Sequence, residues 1–180
     1  MDGELQQVKS MNLKDKIDPK LDLILERDVE LKPSQLYKAW TQPEILMQWF
    51  CPLPWKTVEC EIDLRPGGIF RTVMQSPEGE KFPNSGCFLE VVKNRKLIFT
   101  DALLPDFRPV EKPASGAGLY FTGIISFEPM GNGTKYIAIA MHKDEEDCKK
   151  HAAMGFHQGW GIALDQLIAV VGKSLTRIAS

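Results

Sequence analysis

The feature that most constrains this chain is a helical pattern at its C-terminal end that follows a series of strand-like segments. Between residues 145 and 178, apolar residues recur at steps of three or four on one face, which is the spacing of an amphipathic helix. The residues on this face are Phe156, Trp160, Ala163, Leu164, Leu167 and Val171. Such a helix must bury its apolar face, and an antiparallel sheet with one apolar face is the only large surface that the preceding sequence offers. We therefore expect the sheet to curl around the helix.

Seven segments before the helix have the composition and alternation of β-strands. The first runs from Leu21 to Leu31, with β-compatible apolar residues at odd positions apart from Arg27. The other six lie near residues 57–62, 69–75, 82–92, 96–101, 119–128 and 134–142. Tight turns rather than helices connect most of them, which disfavours parallel winding. The predicted fold class is α+β, with a curved antiparallel sheet of about seven strands wrapped around a long C-terminal helix.

Prolines predict two short helices between the first and second strands. Residues 33–40 form one helix and residues 44–50 the next, because Pro33 and Pro43 are tolerated where the first helical amide needs no partner. The connection from residue 102 to residue 118 is longer and combines apolar residues with prolines. It is either a lid or a rigid surface loop packed on itself.

Length and charge restrict the class of protein. A chain of 180 residues with 43% hydrophobic content suits one domain, which we place at residues 21–180 after an N-terminal arm of residues 1–20. The net charge of -2 provides no global field that would attract nucleic acid or an anionic membrane. The arm lacks the apolar region of a secretory signal, and no apolar run approaches the ~20 residues needed to span a bilayer. We expect a cytoplasmic protein whose four cysteines, which lack metal or disulfide spacing, are reduced.

The last two strands predict a hollow that faces the helix. Gly123, Ala138 and Ala140 share their strand faces with aromatic residues, so these faces leave space beneath the helix if they are turned toward it. An apolar cavity with a few polar groups is what a small hydrophobic ligand requires. The candidate ligand-binding residues are Trp49, Trp55, Phe70, Phe88, Phe121, Tyr136, His142, Phe156 and Trp160. The alternative is a fully packed aromatic core, which needs no ligand.

Three glycines inside the helical pattern need an explanation, since each costs on the order of 1 kcal/mol relative to alanine. In one interpretation, Gly155, Gly159 and Gly161 make room for a ligand or a bent sheet close to the helix axis. In the other, they belong to an irregular segment, and the regular helix begins only after Gly161. The sequence leaves both open.

The sequence predicts neither a catalytic residue nor a metal site. His151 and His157 are separated by about 240° around a helix and cannot share a face there. No H-E-x-x-H motif, dinucleotide-binding glycine motif or nucleophile elbow is present. We interpret the acidic residues 144–147 as a helix cap, and we expect Arg71 and Glu90 to face solvent.

Short motifs in a fixed order resemble one family. They are Trp40-Thr41-x-Pro43, Trp49, Asp63-x-Arg65-Pro66-Gly67-Gly68, Gly86-x-x-Leu89-Glu90-Val91, Leu97-x-Phe99-Thr100, Gly133-Thr134 and Gly155-Phe156-x-x-Gly159-Trp160. Over about residues 20–172 the chain resembles the activator of heat-shock ATPase homologue-like family of the START-like, or SRPBCC, superfamily. The resemblance implies a helix-grip fold with a cavity between a curved sheet and the C-terminal helix. Relatives activate a chaperone ATPase, bind lipids, hormones or polyketides, or in a few cases catalyse cyclisation, so the fold does not settle the function.

Three functional hypotheses follow. The first is binding of a small hydrophobic or amphipathic molecule in the cavity, with Tyr136 and His142 orienting it. The second is a protein-interaction module of the chaperone-ATPase-activator type, acting through an exterior surface. The third is a cyclase or hydrolase that uses His142 or Glu90 as an acid or base. The residues predict no cofactor, and they identify neither the ligand nor a protein partner.

Overall fold

The structure is a computed structural model, and it describes residues 16–111 and 118–178. Its strands are β1 Asp22–Val29, β2 Lys56–Ile62, β3 Ile69–Gln75, β4 Lys81–Val92, β5 Lys96–Thr100, β6 Leu103–Leu104, β7 Arg108–Pro109, β8 Thr122–Met130 and β9 Gly133–Met141. Its helices are α1 Pro33–Thr41, α2 Pro43–Leu46, α3 Glu145–Ala153 and α4 Phe156–Ile178. Residues 1–15 of the predicted arm, and residues 112–117 of the connection predicted as a lid or packed loop, lie outside the described residues.

Seven strands form one antiparallel sheet in the order β1-β9-β8-β5-β4-β3-β2. The first strand pairs with the last, from Asp22 opposite Met141 to Val29 opposite Thr134. β6 and β7 form a separate two-stranded ribbon. The predicted α+β class with a seven-stranded antiparallel sheet is confirmed.

Alternation along β8 and β9 separates the two faces of the sheet. Ile125 and Phe127 of β8 pack in the main core with Tyr136 and Ala138 of β9. The same core contains three residues of α4, which are Ala163, Leu164 and Leu167. The intervening isoleucines of both strands pack in a different cluster. Because side chains alternate with a period of two, the small residues share the helix-facing side, as predicted.

The predicted long C-terminal helix is interrupted once. α3 ends at Ala153 and α4 begins at Phe156, and Gly155 between them has a φ of 91°. A right-handed helix requires negative φ, and glycine reaches positive φ with little steric cost. Of the two interpretations of these glycines, the one in which regular helix begins only after Gly161 is therefore wrong, since Gly159 and Gly161 both lie within α4. The acidic cap is confirmed, because Asp144 accepts a hydrogen bond from the Asp147 amide at 2.9 Å.

The second helix is shorter than predicted. α2 comprises only Pro43–Leu46, and the chain continues through residues 47–50 with hydrogen bonds of mixed three- and four-residue spacing. The Trp49 indole donates to the Ala39 carbonyl at 3.1 Å. This bond fixes the buried Trp49 ring against α1.

The predicted sharp turn before β3 brings separate backbone segments together. Gly67 has a φ of 77°, and its carbonyl accepts from the Asp106 amide at 2.8 Å. A Cβ atom at Gly68 would overlap the Asp63 carbonyl, so only glycine fits at this close approach. The described part of the connection after β5 thus packs against this turn.

Candidate binding cavity

A cavity of about 380 Å³ lies between the inner face of the sheet, the segment after α2 and the junction of α3 with α4. Six of the nine candidate ligand-binding residues line it. They are Trp49, Phe70, Phe121, Tyr136, Phe156 and Trp160. Met154, which is 69% exposed, also lines the cavity, so the space opens toward solvent at the α3–α4 junction.

The other three candidates lie outside the lining. Trp55 packs against Phe82, with ring centroids 5.2 Å apart. Phe88 is only 1% exposed and stacks on Phe70 at 5.2 Å, so it supports a lining residue. His142 is separated from the cavity by His151, to which it is hydrogen-bonded.

Aromatic rings form one wall of the cavity. The indoles of Trp40 and Trp49 meet edge to face with centroids 4.9 Å apart, and Phe70 meets Phe99 in the same way at 5.0 Å. Phe156 and Trp160 of α4 contact each other at 4.6 Å on the helix side. Such packing fixes ring orientations and leaves a rigid, largely apolar surface.

Two polar groups lie deep in this wall. Tyr136 is 3% exposed, and burial raises the pKa of its hydroxyl well above the usual value. The Trp40 indole lies beside that hydroxyl, but its Nε1 has no acceptor in hydrogen-bonding geometry among the described residues. A buried donor without a partner costs about 1–3 kcal/mol. An acceptor on a bound molecule would remove this cost.

Two histidines connect the edge of the sheet to the cavity. The Leu21 carbonyl lies 2.8 Å from His142 Nδ1, and His142 Nε2 lies 2.9 Å from His151 Nδ1. His151 lines the cavity. Desolvation, with a smaller effect from His142, lowers the pKa of His151 to about 4. His157, by contrast, is exposed and contacts the Ile24 carbonyl at 3.0 Å.

A carboxyl group also lines the cavity. Asp101 follows β5, and its Oδ1 accepts from the Phe121 amide at 2.9 Å. Burial raises the pKa of Asp101 to about 6, although this hydrogen bond partly offsets the effect. The cavity thus contains two groups whose pKa values burial shifts, Asp101 and His151, and shifted pKa values are common at functional sites.

The sequence prediction missed His151 and Asp101. The sequence analysis treats His151 only as a metal candidate, and its actual hydrogen-bond partner, His142, directly follows β9. Asp101 offered one weak signal, an acidic residue directly after an apolar strand, which is also common at strand ends on the surface. Both residues reach the cavity through contacts that strand and helix periodicity do not encode.

The other charged candidates lie outside the cavity. Arg71 pairs with Glu59 at 3.0 Å, and Glu90 pairs with Lys96 at 2.9 Å. Both pairs are partly exposed, as predicted, so Glu90 is not placed to act as an acid or base in the cavity. All four cysteines are free. Among residues 16–111 and 118–178, no group of three or more His, Cys, Asp or Glu side chains is arranged to hold a metal ion.

The architecture and the cavity define the class of protein as helix-grip, with an antiparallel sheet packed on a C-terminal helix. The chain belongs to the family described as "Activator of Hsp90 ATPase homolog 1-like protein", which matches residues 30–172. This confirms the family resemblance seen in the sequence motifs.

Solved structures agree with this assignment. The crystal structure of protein NE0264 from Nitrosomonas europaea has 44% identity and a TM-score of 0.83, covering 89% of this chain and 99% of that chain. Protein Ms6760 from Mycobacterium smegmatis has 22% identity and a TM-score of 0.68, covering 84% and 90% respectively. A protein from Arthrobacter aurescens has 22% identity and a TM-score of 0.71, covering 86% and 87%. The last two similarities show the fold alone.

No curated protein matches the chain. None of the helices in the described parts of the chain has both the length and the apolar character needed to cross a membrane.

Proposed function

We propose that this protein binds a small hydrophobic or amphipathic molecule in the cavity between the curved sheet and the C-terminal helix. The observation that supports this most directly is the space of about 380 Å³ lined by aromatic side chains. Ligand sites in proteins usually measure about 300–1,000 Å³ and combine apolar walls with a few polar groups. In this proposal, Tyr136 and the unpartnered Trp40 Nε1 orient the polar end of the molecule.

Gly159 offers a way to reduce the volume of the cavity without disturbing the backbone. It lines the cavity, lies within α4, and a Cβ atom there would meet only Pro52 Cγ, at 4.0 Å. Gly161 is two residues further along the same helix, and a Cβ atom there would meet nothing within 4 Å. Gly159→Leu therefore places an isobutyl group in the cavity and reduces its volume, and Gly161→Leu is the matched control outside its lining.

Thermal-shift and native mass spectrometry measurements with 2-methylnaphthalene test the proposal. Ligand at 100 times its Kd adds about 2.7 kcal/mol to the free energy of unfolding, which corresponds to roughly 5–10 °C in Tm for a chain of this size. We expect this shift in the wild type and in Gly161→Leu, and its loss in Gly159→Leu. Absence of any shift across aromatic and lipid-like compounds would overturn the proposal.

The description of the family favours a second candidate, a module that stimulates the ATPase of a chaperone. Leu53, next to the cavity-lining Pro52, is 72% exposed and does not itself line the cavity, so an apolar side chain is available outside the cavity. The ATPase rate of purified Hsp90 separates the two functions. An activator acting through the surface around Leu53 keeps its effect in Gly159→Leu and loses it in Leu53→Ser.

A further inference from the structure

A chain of hydrogen bonds runs from the backbone at the start of β1 through two imidazoles into the cavity. The Leu21 carbonyl accepts from the His142 amide at 3.0 Å and lies 2.8 Å from His142 Nδ1. His142 Nε2 lies 2.9 Å from His151 Nδ1. His151 contributes to the cavity lining, whereas His142 does not.

The carbonyl at one end determines where each proton sits. A carbonyl can only accept, so His142 Nδ1 carries a hydrogen and donates it to Leu21. In the neutral ring, His142 Nε2 is then an acceptor, and His151 Nδ1 must be the donor to it. Neutral His151 consequently has an unprotonated Nε2 with an available lone pair. Among the described residues, the His151 ring forms a hydrogen bond through Nδ1, to His142, and none through Nε2.

The surroundings of His151 keep the ring neutral and fixed. Its ring centroid lies 5.0 Å from Phe121 and 5.3 Å from Phe156, and 6.3 Å from Trp160. Aromatic neighbours solvate a charged imidazolium poorly, in accordance with the lowered pKa of this group. His142 sets the tautomer of His151 through the hydrogen bond between the two rings, so His142 is a positioning residue.

Asp101 adds a second polar group to the same cavity. Phe121 connects the two, since its amide donates to Asp101 and its ring packs on His151. An ionised Asp101 and an unprotonated His151 Nε2 are both acceptors. A ligand carboxylate could accept from Trp40 Nε1, but it would also bring a second negative charge into the space that holds the ionised Asp101, which is unfavourable.

We propose that His151 Nε2 is a fixed hydrogen-bond acceptor in the cavity, and that the cavity selects neutral aromatic molecules that carry a hydroxyl donor over the corresponding carboxylates. This inference deepens the proposed function and rests on it. The hydroxyl donates to His151 Nε2 while the ring occupies the aromatic part of the cavity. The selection follows from the tautomer that the Leu21 carbonyl imposes through His142.

Three naphthalene derivatives of similar shape test this selection at pH 7.5. We expect 2-naphthol to bind the wild type about 5–10-fold more tightly than 2-methylnaphthalene, the advantage of one neutral hydrogen bond. We expect 2-naphthoate to bind most weakly. Isothermal titration calorimetry measures all three Kd values. Equal Kd values for naphthol and methylnaphthalene, or tightest binding of naphthoate, would overturn the inference.

Histidine variants assign the effect to the proposed atom. His151→Phe should abolish the advantage of 2-naphthol and leave 2-methylnaphthalene binding within about twofold. His142→Phe should reduce the advantage, since the tautomer of His151 is no longer fixed. His157→Phe is the matched control, because His157 is exposed and absent from the lining. Persistence of the full naphthol advantage in His151→Phe would contradict the assignment.

The tautomer can also be observed without a ligand. Histidine ¹⁵N chemical shifts distinguish a protonated from an unprotonated ring nitrogen, and we expect His151 to show protonated Nδ1 and unprotonated Nε2. A proton on Nε2 would overturn the acceptor role, whether or not ligands bind. If the tautomer is as expected but none of the three compounds binds, the cavity proposal fails and the selectivity inference fails with it.

Discussion

Asp101 and His151 line the same cavity, yet burial shifts their pKa values in opposite directions. The pKa of Asp101 rises from 3.8 to about 6 on folding. Between these pH values Asp101 is protonated in the folded state and ionised in the unfolded state. The pKa of His151 falls from 6.5 to about 4 on folding. Between these pH values His151 is neutral in the folded state and protonated in the unfolded state. Between about pH 4 and 6, rising pH lowers the free energy of unfolding through Asp101 and raises it through His151.

Replacing Asp101 separates these opposing effects. In Asp101→Asn we expect the free energy of unfolding to rise with pH from about 4 to 6.5, since the contribution of His151 is no longer opposed by that of Asp101. At pH 7 the variant should be more stable than the wild type by about 2 kcal/mol, allowing for solvent screening. The two should be nearly equal at pH 4, and the amide oxygen can still accept from Phe121. Urea unfolding at a series of pH values measures the difference.

Asp28→Asn is the control for this experiment, because Asp28 is exposed on β1. Its pH profile should parallel that of the wild type. A loss of stability at pH 7 in Asp101→Asn would show that the Asp101 carboxylate is stabilised rather than penalised by its surroundings.

At the scale of elements, the α3–α4 junction shapes the cavity. The turn at Met154 and Gly155 separates the two helices, and residues from both sides of it line the space. His151 approaches from the end of α3, and Phe156 and Trp160 approach from the start of α4. In one continuous helix, the 3.6-residue period would fix the relative directions of these side chains, so they could not approach the cavity from two separate helices.

Alanine substitutions distinguish the glycine at this junction from the glycine within α4. Gly155→Ala should lower the free energy of unfolding by about 1–2 kcal/mol, since Gly155 has a φ of 91°. Gly159→Ala should raise it by up to about 1 kcal/mol, because alanine is the better helix former and a Cβ atom fits there. Neither Cβ atom meets anything closer than 4.0 Å, so steric clash does not contribute to the difference in stability between the two variants. Stabilisation by Gly155→Ala would contradict the φ argument.

At the scale of the whole molecule, the first strand in the chain, β1, pairs with the last, β9. α4 packs its apolar face on the same sheet, so the core forms only when residues far apart in sequence come together. Long-range pairing of this kind favours slow but cooperative folding.

We expect one unfolding transition for the described fold. Far-UV circular dichroism reports on the sheet and helices, and tryptophan fluorescence reports chiefly on the buried Trp40 and Trp49. Their urea midpoints should coincide within error. An early fluorescence transition, with the circular dichroism signal retained, would show that the helix pair separates from the sheet before the rest unfolds.

Much of the fold could be predicted because its signals are local. Alternation in β8 and β9 predicted which face carries Tyr136 and Ala138, and helical periodicity predicted the buried face of α4. The break at Gly155 was only partly visible, because a glycine permits positive φ without requiring it. The length of α2 was overestimated for a related reason, since prolines indicate where a helix can begin more clearly than where hydrogen bonding changes.

The sequence by itself determined the order of strands and helices, their buried faces and the supply of aromatic residues for an interior. Only the tertiary structure decided that Trp55 and Phe88 lie outside the cavity lining, and that Asp101 and His151 belong to it. The physical reason is that periodicity describes one element at a time. A cavity, a hydrogen bond between two imidazoles and the tautomer it imposes each depend on how separate elements meet.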